Sequence, residues 1–126
     1  VIAGIGVDIV AVARIARVLE QHGEHFARRL LAESEFADYR AAPAPAAFMA
    51  KRFAAKEAFG KALGTGIAKG VTLREIAVRH DVAGRPLLEL SGAAAEHCAR
   101  RGIVAWHLSL ADEQENAVAM VVLESA

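Results

Sequence analysis

A chain of 126 residues, 55% of them hydrophobic, with a formal net charge of +0 is long enough for one modest core and too apolar to be disordered. The charge balance excludes a general polyanion binder, although basic residues outnumber acidic ones from Lys51 to Arg79 and only acidic ones occur from Asp112 to Ala126, a segregation suited to one local anionic ligand. A lone cysteine, Cys98, excludes an intrachain disulfide and favours a reducing compartment.

The N-terminal run is apolar but interrupted by Asp8 and Arg14. It reads as neither a leader peptide nor a membrane span, and the expected location is the cytoplasm. Ile2 to Val10 alternates as a strand does. Ala3, Ile5, Val7 and Ile9 make one well-filled face, and Gly4, Gly6, Asp8 and Val10 make a nearly bare one with room for something bulky. An unpaired carboxylate inside such a strand costs several kcal/mol, by order of magnitude, if it is buried. Asp8 therefore needs a cationic partner, or else it bonds to the start of the following helix.

Helical spacing of Val12, Ile15, Val18 and Leu19 predicts a helix to about Glu20, ended by Gly23, with Arg14 and Arg17 elsewhere on the wheel. A short helix or turn follows over Phe26 to Leu31. Ser34 is the expected N-cap of a helix through Arg40. The prolines of "AAPAPAA" break the chain, and the next helix is expected from about Ala47 to Leu63, stopped by Gly64. "EIAVRHDVAGRPLLEL" reads as a hairpin, Ser91 to about Arg101 as a helix, and Val104–Leu110 and Ala117–Leu123 as strands joined by an acidic turn. The predicted class is α+β: a small, mainly antiparallel sheet packed against one long helix and several shorter ones.

The long helix carries the best functional clue, "FMAKRFAAKEAFGKALGTGI". Phe48, Ala55, Phe59 and Ala62 form its obvious core stripe. Glu57, Gly60, Lys61 and Gly64 stand at i, i+3, i+4 and i+7 on another. A helix-interior glycine costs about 0.5–1 kcal/mol relative to alanine, which implies close approach by another body. The backbone N–H groups of Gly64, Thr65 and Gly66 could meet phosphate oxygens, and Arg52 and Lys56 add charge nearby. Alternatively, Glu57 and Lys61 are an exposed i,i+4 pair and Gly64 merely caps the helix. Taken together with Asp8, the residues suit a Mg²⁺ shared by Asp8 and Glu57, bound to a pyrophosphate.

Three segments, "GIGVDIV" with a following "RI", "KRFAAKEAFGKALGTGI" and "HLSLADEQENAVAMVVLE", resemble the motifs of the holo-[acyl-carrier-protein] synthases of the 4'-phosphopantetheinyl transferase superfamily, in order and at family spacing. The resemblance implies a 4'-phosphopantetheinyl transferase-like fold and a Mg²⁺-dependent reaction. The 4'-phosphopantetheine arm of coenzyme A moves to a serine of apo acyl carrier protein, releasing adenosine 3',5'-bisphosphate. It places the metal ligands at Asp8 and Glu57 and the pyrophosphate lysine at Lys61. Coenzyme contacts fall on Arg52, Lys56, Gly64, Thr65, Gly66 and Pro86, the last in a "GRP" turn like the segment near the adenine. Carrier docking falls on Arg14, Val18, Phe26 and Arg29. It also implies a homotrimer with active sites between protomers, and no nucleic-acid or membrane partner.

Where some members carry a histidine before the last strand, this chain has Asp112. The acceptor of the serine proton is thus open between Glu57, a water beside the metal and Asp112. A Ser–His–Asp hydrolase built on Ser109, His107 and Asp112 lacks any nucleophile-elbow motif. Other readings are a non-enzymatic coenzyme A or nucleotide-binding module, a plain interaction scaffold, and a transferase domain of a larger fatty-acid or polyketide synthase.

Overall fold

The computed structural model describes residues 1–126. In chain order its elements are β1 (Ile2–Ala11), α1 (Val12–Leu30), α2 (Phe36–Ala41) after a single 3-10 turn (Glu33–Glu35), α3 (Pro45–Leu63), a second 3-10 turn (Leu73–Glu75), β2 (Ile76–His80), β3 (Pro86–Leu90), α4 (Gly92–Arg100), β4 (Ile103–Asp112) and β5 (Asn116–Ser125). The expected α+β class and its elements are present. No helix is long and apolar enough to cross a membrane.

β1, β5 and β4 form an antiparallel sheet in that order, and β2 pairs with β3 as a separate hairpin. α3 lies across one face of the larger sheet, and α1 packs on α3 from its other side. α3 is therefore buried almost all round rather than along one stripe: Ala50, Ala54, Ala55, Ala58 and Phe59 have no exposed surface. Its alanines let the neighbouring elements approach closely. Pro45 opens the helix, and Gly64 closes it in the left-handed conformation at φ 85°.

As the sequence predicts, Gly23 breaks α1 into two helical segments, at φ 43° and ψ −120°, and the second runs to Leu30. One local expectation shifts. Ser34 caps nothing, because the chain makes a 3-10 turn there and α2 begins only at Phe36.

The larger correction concerns β1. Its glycine-bearing face is the inner one, and the face predicted to be filled is open: Ile5, Val7 and Ile9 are 59%, 57% and 64% exposed. A Cβ on Gly6 would lie 2.0 Å from the carbonyl oxygen of Ala58, and one on Gly4 2.0 Å from that of Ala62. The bulky body admitted by the bare face is thus α3 itself. The opposite face continues across the sheet through Val118, Met120 and Val122, which the register sets opposite Ile9, Val7 and Ile5.

Gly6→Ala forces strand and helix apart at backbone level, so its cost should reach the upper part of the overpacking range, about 3 kcal/mol. A denaturant midpoint for Gly6→Ala equal to that of the wild type would refute this account of the contact.

Candidate active site

Because β1 and α3 touch through glycines, polar residues farther along the two elements come together. Asp8 lies on the inner face of β1, and its side chain is only 16% exposed. Lys61, in the last turn of α3, donates from Nζ to Asp8 Oδ1 at 2.9 Å and to the carbonyl of Val7 at 3.0 Å. This is the cationic partner that Asp8 required. The two alternatives do not occur: Lys61 turns to Asp8 rather than to Glu57, and no side chain caps the start of α1.

Glu57 stands one turn before Lys61 on the same stripe. Burial pushes its carboxyl up, the negative charge of Asp8 pushes it further, and Lys61 and Arg14 pull it down. Asp8 and Glu57 therefore repel across a half-buried niche in which Lys61 hydrogen-bonds only the former and offsets part of the charge of the latter. Such a pair of hard oxygen donors suits a divalent cation. No third His, Cys, Asp or Glu joins them, so phosphate oxygens and water would have to complete the coordination, as is usual for Mg²⁺.

The remaining predicted residues divide. Gly64 and Gly66 close α3: both N–H groups donate to the carbonyl of Gly60, at 3.0 Å each. They are thus engaged, and of the expected phosphate-facing N–H groups only that of Thr65 has no backbone partner. Gly60 is required because a Cβ there would lie 2.9 Å from the carbonyl carbon of Gly66. The returning loop, rather than a ligand, is the body that approaches this glycine.

Arg52 and Lys56, expected to face the coenzyme, are turned inward, with 4% and 0% of their surface exposed. Both grip Glu35, which is itself fully buried. Arg52 donates to Glu35 Oε2 at 2.8 Å and to the carbonyl of Val78 at 2.7 Å. Lys56 donates to Glu35 Oε1 at 2.6 Å and to the carbonyl of Leu30 at 2.5 Å. Burial draws the Lys56 ammonium down to about 8, with Glu35 opposing that pull. The sequence reading missed Glu35. The one signal for it was an i,i+4 basic pair on a mostly apolar helix, which demands an acid from elsewhere.

Arg14, on the first turns of α1, lies over the ring of Phe53 at 5.5 Å and near enough to Glu57 to influence its charge. Val18 and Phe26 follow on α1 as half-buried residues, and Arg29 is exposed. Arg29 also lines a cleft of about 880 Å³, with His25 and Arg28 beside it, Arg74 opposite, and Ile67 and Leu73 as apolar lining. Pro86 begins β3, and no hydrogen bond or ion pair joins it to Asp8, Glu57 or Lys61; its hairpin is tied to β4 by the Trp106 indole N–H and the carbonyl of Leu88.

Asp112 ends β4 on the inner face, opposite Ala117 and 3.9 Å from Lys51. Ser109 and His107 alternate onto the outer face, where His107 pairs with Glu124 at 2.5 Å. Opposite faces of one strand cannot assemble a Ser–His–Asp triad, so the hydrolase reading fails.

The family model for the 4'-phosphopantetheinyl transferase superfamily matches residues 4–121. A holo-[acyl-carrier-protein] synthase of Halorhodospira halophila is 58% identical over 122 residues, covering 97% of both chains. The crystal structure of the holo-[acyl-carrier-protein] synthase from Neisseria meningitidis superposes with a TM-score of 0.94 at 42% identity, covering 99% of this chain and 100% of that one. The Helicobacter pylori synthase, solved in complex with coenzyme A, superposes at 0.84 with 31% identity over 95% of this chain and 99% of its own. The matched span runs from the glycines of β1 through the Asp8–Glu57–Lys61 cluster to the last strand, and on that ground the chain belongs to the 4'-phosphopantetheinyl transferase superfamily.

Proposed function

We propose that this chain transfers the 4'-phosphopantetheine group of coenzyme A to a serine hydroxyl of apo acyl carrier protein, with adenosine 3',5'-bisphosphate as the other product. The observation that carries the site assignment is the meeting of Asp8 and Glu57, from separate elements, beside Lys61. Family membership supplies the reaction class, and the named relatives supply the two substrates.

In the transfer, the serine oxygen forms a bond to the β-phosphorus while the bridging P–O bond on the adenosine side breaks. The leaving phosphate keeps that electron pair, and the serine proton passes to a base. Enzymes of this type act chiefly through alignment and charge neutralisation. Asp8 and Glu57 would hold Mg²⁺, which when bound supplies neutralising charge to the diphosphate. Lys61 holds Asp8 in place and presents its ammonium beside the same oxygens. The free N–H of Thr65 is the backbone donor in the "GTG" loop, and Gly64 and Gly66 give that loop its shape. Glu57 and Asp112 are the candidate proton acceptors among this chain's residues.

Arg14, Val18, Phe26 and Arg29 form the docking surface for the carrier. It starts beside Glu57 and runs into the arginine-flanked cleft, which suits an acidic partner. The open face of Ile5, Val7, Ile9 and Met120 supports assembly as a homotrimer, since an apolar sheet surface of this kind calls for a covering partner. The coenzyme contact of Pro86 is then made across the boundary between protomers.

Incubation with coenzyme A, Mg²⁺ and an apo carrier should add one phosphopantetheine group to the carrier, read as intact mass; binding of coenzyme A without transfer would leave only a binding module. Asp8→Asn and Glu57→Gln should each lower turnover by about 10²-fold, and full activity of either folded variant at saturating Mg²⁺ would remove the metal assignment. Arg14→Glu should raise KM for the carrier well above any change in KM for coenzyme A; equal rises in both would remove the docking surface. Light scattering should give three chains per particle for the wild type and fewer for Ile5→Lys, whereas a monomeric wild type would refute the assembly.

A further inference from the structure

Glu35 lies outside every motif of the transfer site, yet its carboxylate receives four donors. Arg52 Nη1 and the backbone N–H of Val78 meet Oε2 at 2.8 and 3.2 Å, while Lys56 Nζ and the backbone N–H of Ala32 meet Oε1 at 2.6 and 2.8 Å. No buried side-chain polar atom in the chain is left without a partner. Through this one carboxylate, α3 is fastened to the 3-10 turn and to β2, and Lys56 ties it also to the carbonyl of Leu30 at the end of α1.

The geometry points to Glu35 as a positioning residue for the transfer reaction: by holding Arg52 and Lys56 it fixes the rotation of α3 about its own axis, and so sets Glu57 and Lys61 against Asp8. This inference rests on the reaction proposed above. Glu57 directly follows Lys56, so it projects about 100° farther around the helix. At an outer radius of about 5–6 Å, a turn of roughly 10° moves the Glu57 carboxylate by about 1 Å. Displacements of that size near a reacting centre can lower rate by about 10²-fold.

Lys61 also ties α3 to Asp8 and to the carbonyl of Val7, but through a long, flexible side chain that is 55% exposed. The contacts of Gly4 and Gly6 with Ala62 and Ala58 set the distance between β1 and α3, but small, smooth side chains resist rotation weakly. Four directed hydrogen bonds to a single buried anion resist it strongly. Apolar residues of similar volume would fill the same space at equal or better stability in many proteins, so directional placement is the distinct property that a buried charge cluster adds here.

The test compares wild type with Glu35→Gln, which keeps the shape and removes the charge, and Glu35→Asp, which keeps the charge and shortens the reach. Transfer is measured against Mg²⁺ concentration per folded molecule. Separately, without the carrier, the rise in melting temperature caused by coenzyme A plus Mg²⁺ is recorded. For Glu35→Gln the expected result is a turnover lower by about tenfold or more, a raised half-saturating Mg²⁺ concentration, a smaller ligand-induced rise in Tm, and an unchanged KM for the carrier.

Glu35→Asp should fall between the two, and it decides the matter if the glutamine variant does not fold. Wild-type turnover, metal dependence and ligand-induced shift in a folded variant, even one of lower Tm, would overturn the inference and leave Glu35 a purely structural residue. A wild type that binds coenzyme A and Mg²⁺ but transfers nothing defeats only the proposed reaction. The ligand-induced shift then still decides whether Glu35 positions the site.

Discussion

The contact between the backbone of β1 and the backbone of α3 is the constraint from which the rest of the structure follows. Gly4 and Gly6 let the strand lie directly against Ala62 and Ala58 of the helix, with no room for a methyl group between them. At that separation Lys61, a long side chain, reaches both the carbonyl of Val7 and the carboxylate of Asp8. Were the helix farther away by the width of one side chain, Lys61 would meet only one of them and Glu57 would lose its electrostatic contact with Asp8. The candidate site is therefore a consequence of close packing, and its two carboxylates and its ammonium sit on regular elements rather than on loops.

The other side of α3 is held by a different kind of force. Where the sheet side is apolar and close-packed, the far side carries the fully hydrogen-bonded cluster of Glu35, Arg52 and Lys56. Removing one member of such a buried cluster typically costs about 3–5 kcal/mol, because it strands the remaining charge. The aromatic ring of Phe48, with the Arg52 guanidinium 4.5 Å from its centroid, completes the surroundings of the cation. Distance is thus governed on one face of the helix and orientation on the other. Consecutive residues, Lys56 and Glu57, serve the two faces in turn.

Much of this was legible in the sequence, for reasons that differ by element. Pro45 and Gly64 mark the ends of α3 through local backbone chemistry, and the turn residues of "DVAGRP" mark the β2–β3 hairpin. Those signals need no knowledge of the tertiary structure. Asp8, Glu57 and Lys61 could be singled out because charges on apolar elements demand explanation, and the family motifs put them together. What the sequence could not disclose is which body fills a gap. Alternation in β1 separates two faces but not inside from outside, so the apolar face reads as the core and the glycine face as ligand space. Arg52 and Lys56 look free to meet a ligand for an equivalent reason: their acid, Glu35, lies 17 and 21 residues away, beyond any local pattern.

That inversion of β1 bears on function as well as on folding. A strand whose inner face is glycine and aspartate contributes little to the hydrophobic core apart from Val10, which is 1% exposed. The branched residues that would normally stabilise it, Ile5, Val7 and Ile9, point instead away from the molecule, in register with Val122, Met120 and Val118. The same strand therefore faces Glu57 and Lys61 of α3 on one side and carries an exposed apolar surface on the other. Covering that surface would stiffen β1 where Asp8 needs to be held, since side chains buried at an interface restrict the strand that bears them. In the proposed trimer, assembly and catalysis would be coupled through a single strand: the glycines that admit α3 leave β1 short of core contacts, and the outer face is where a second chain would make up that deficit.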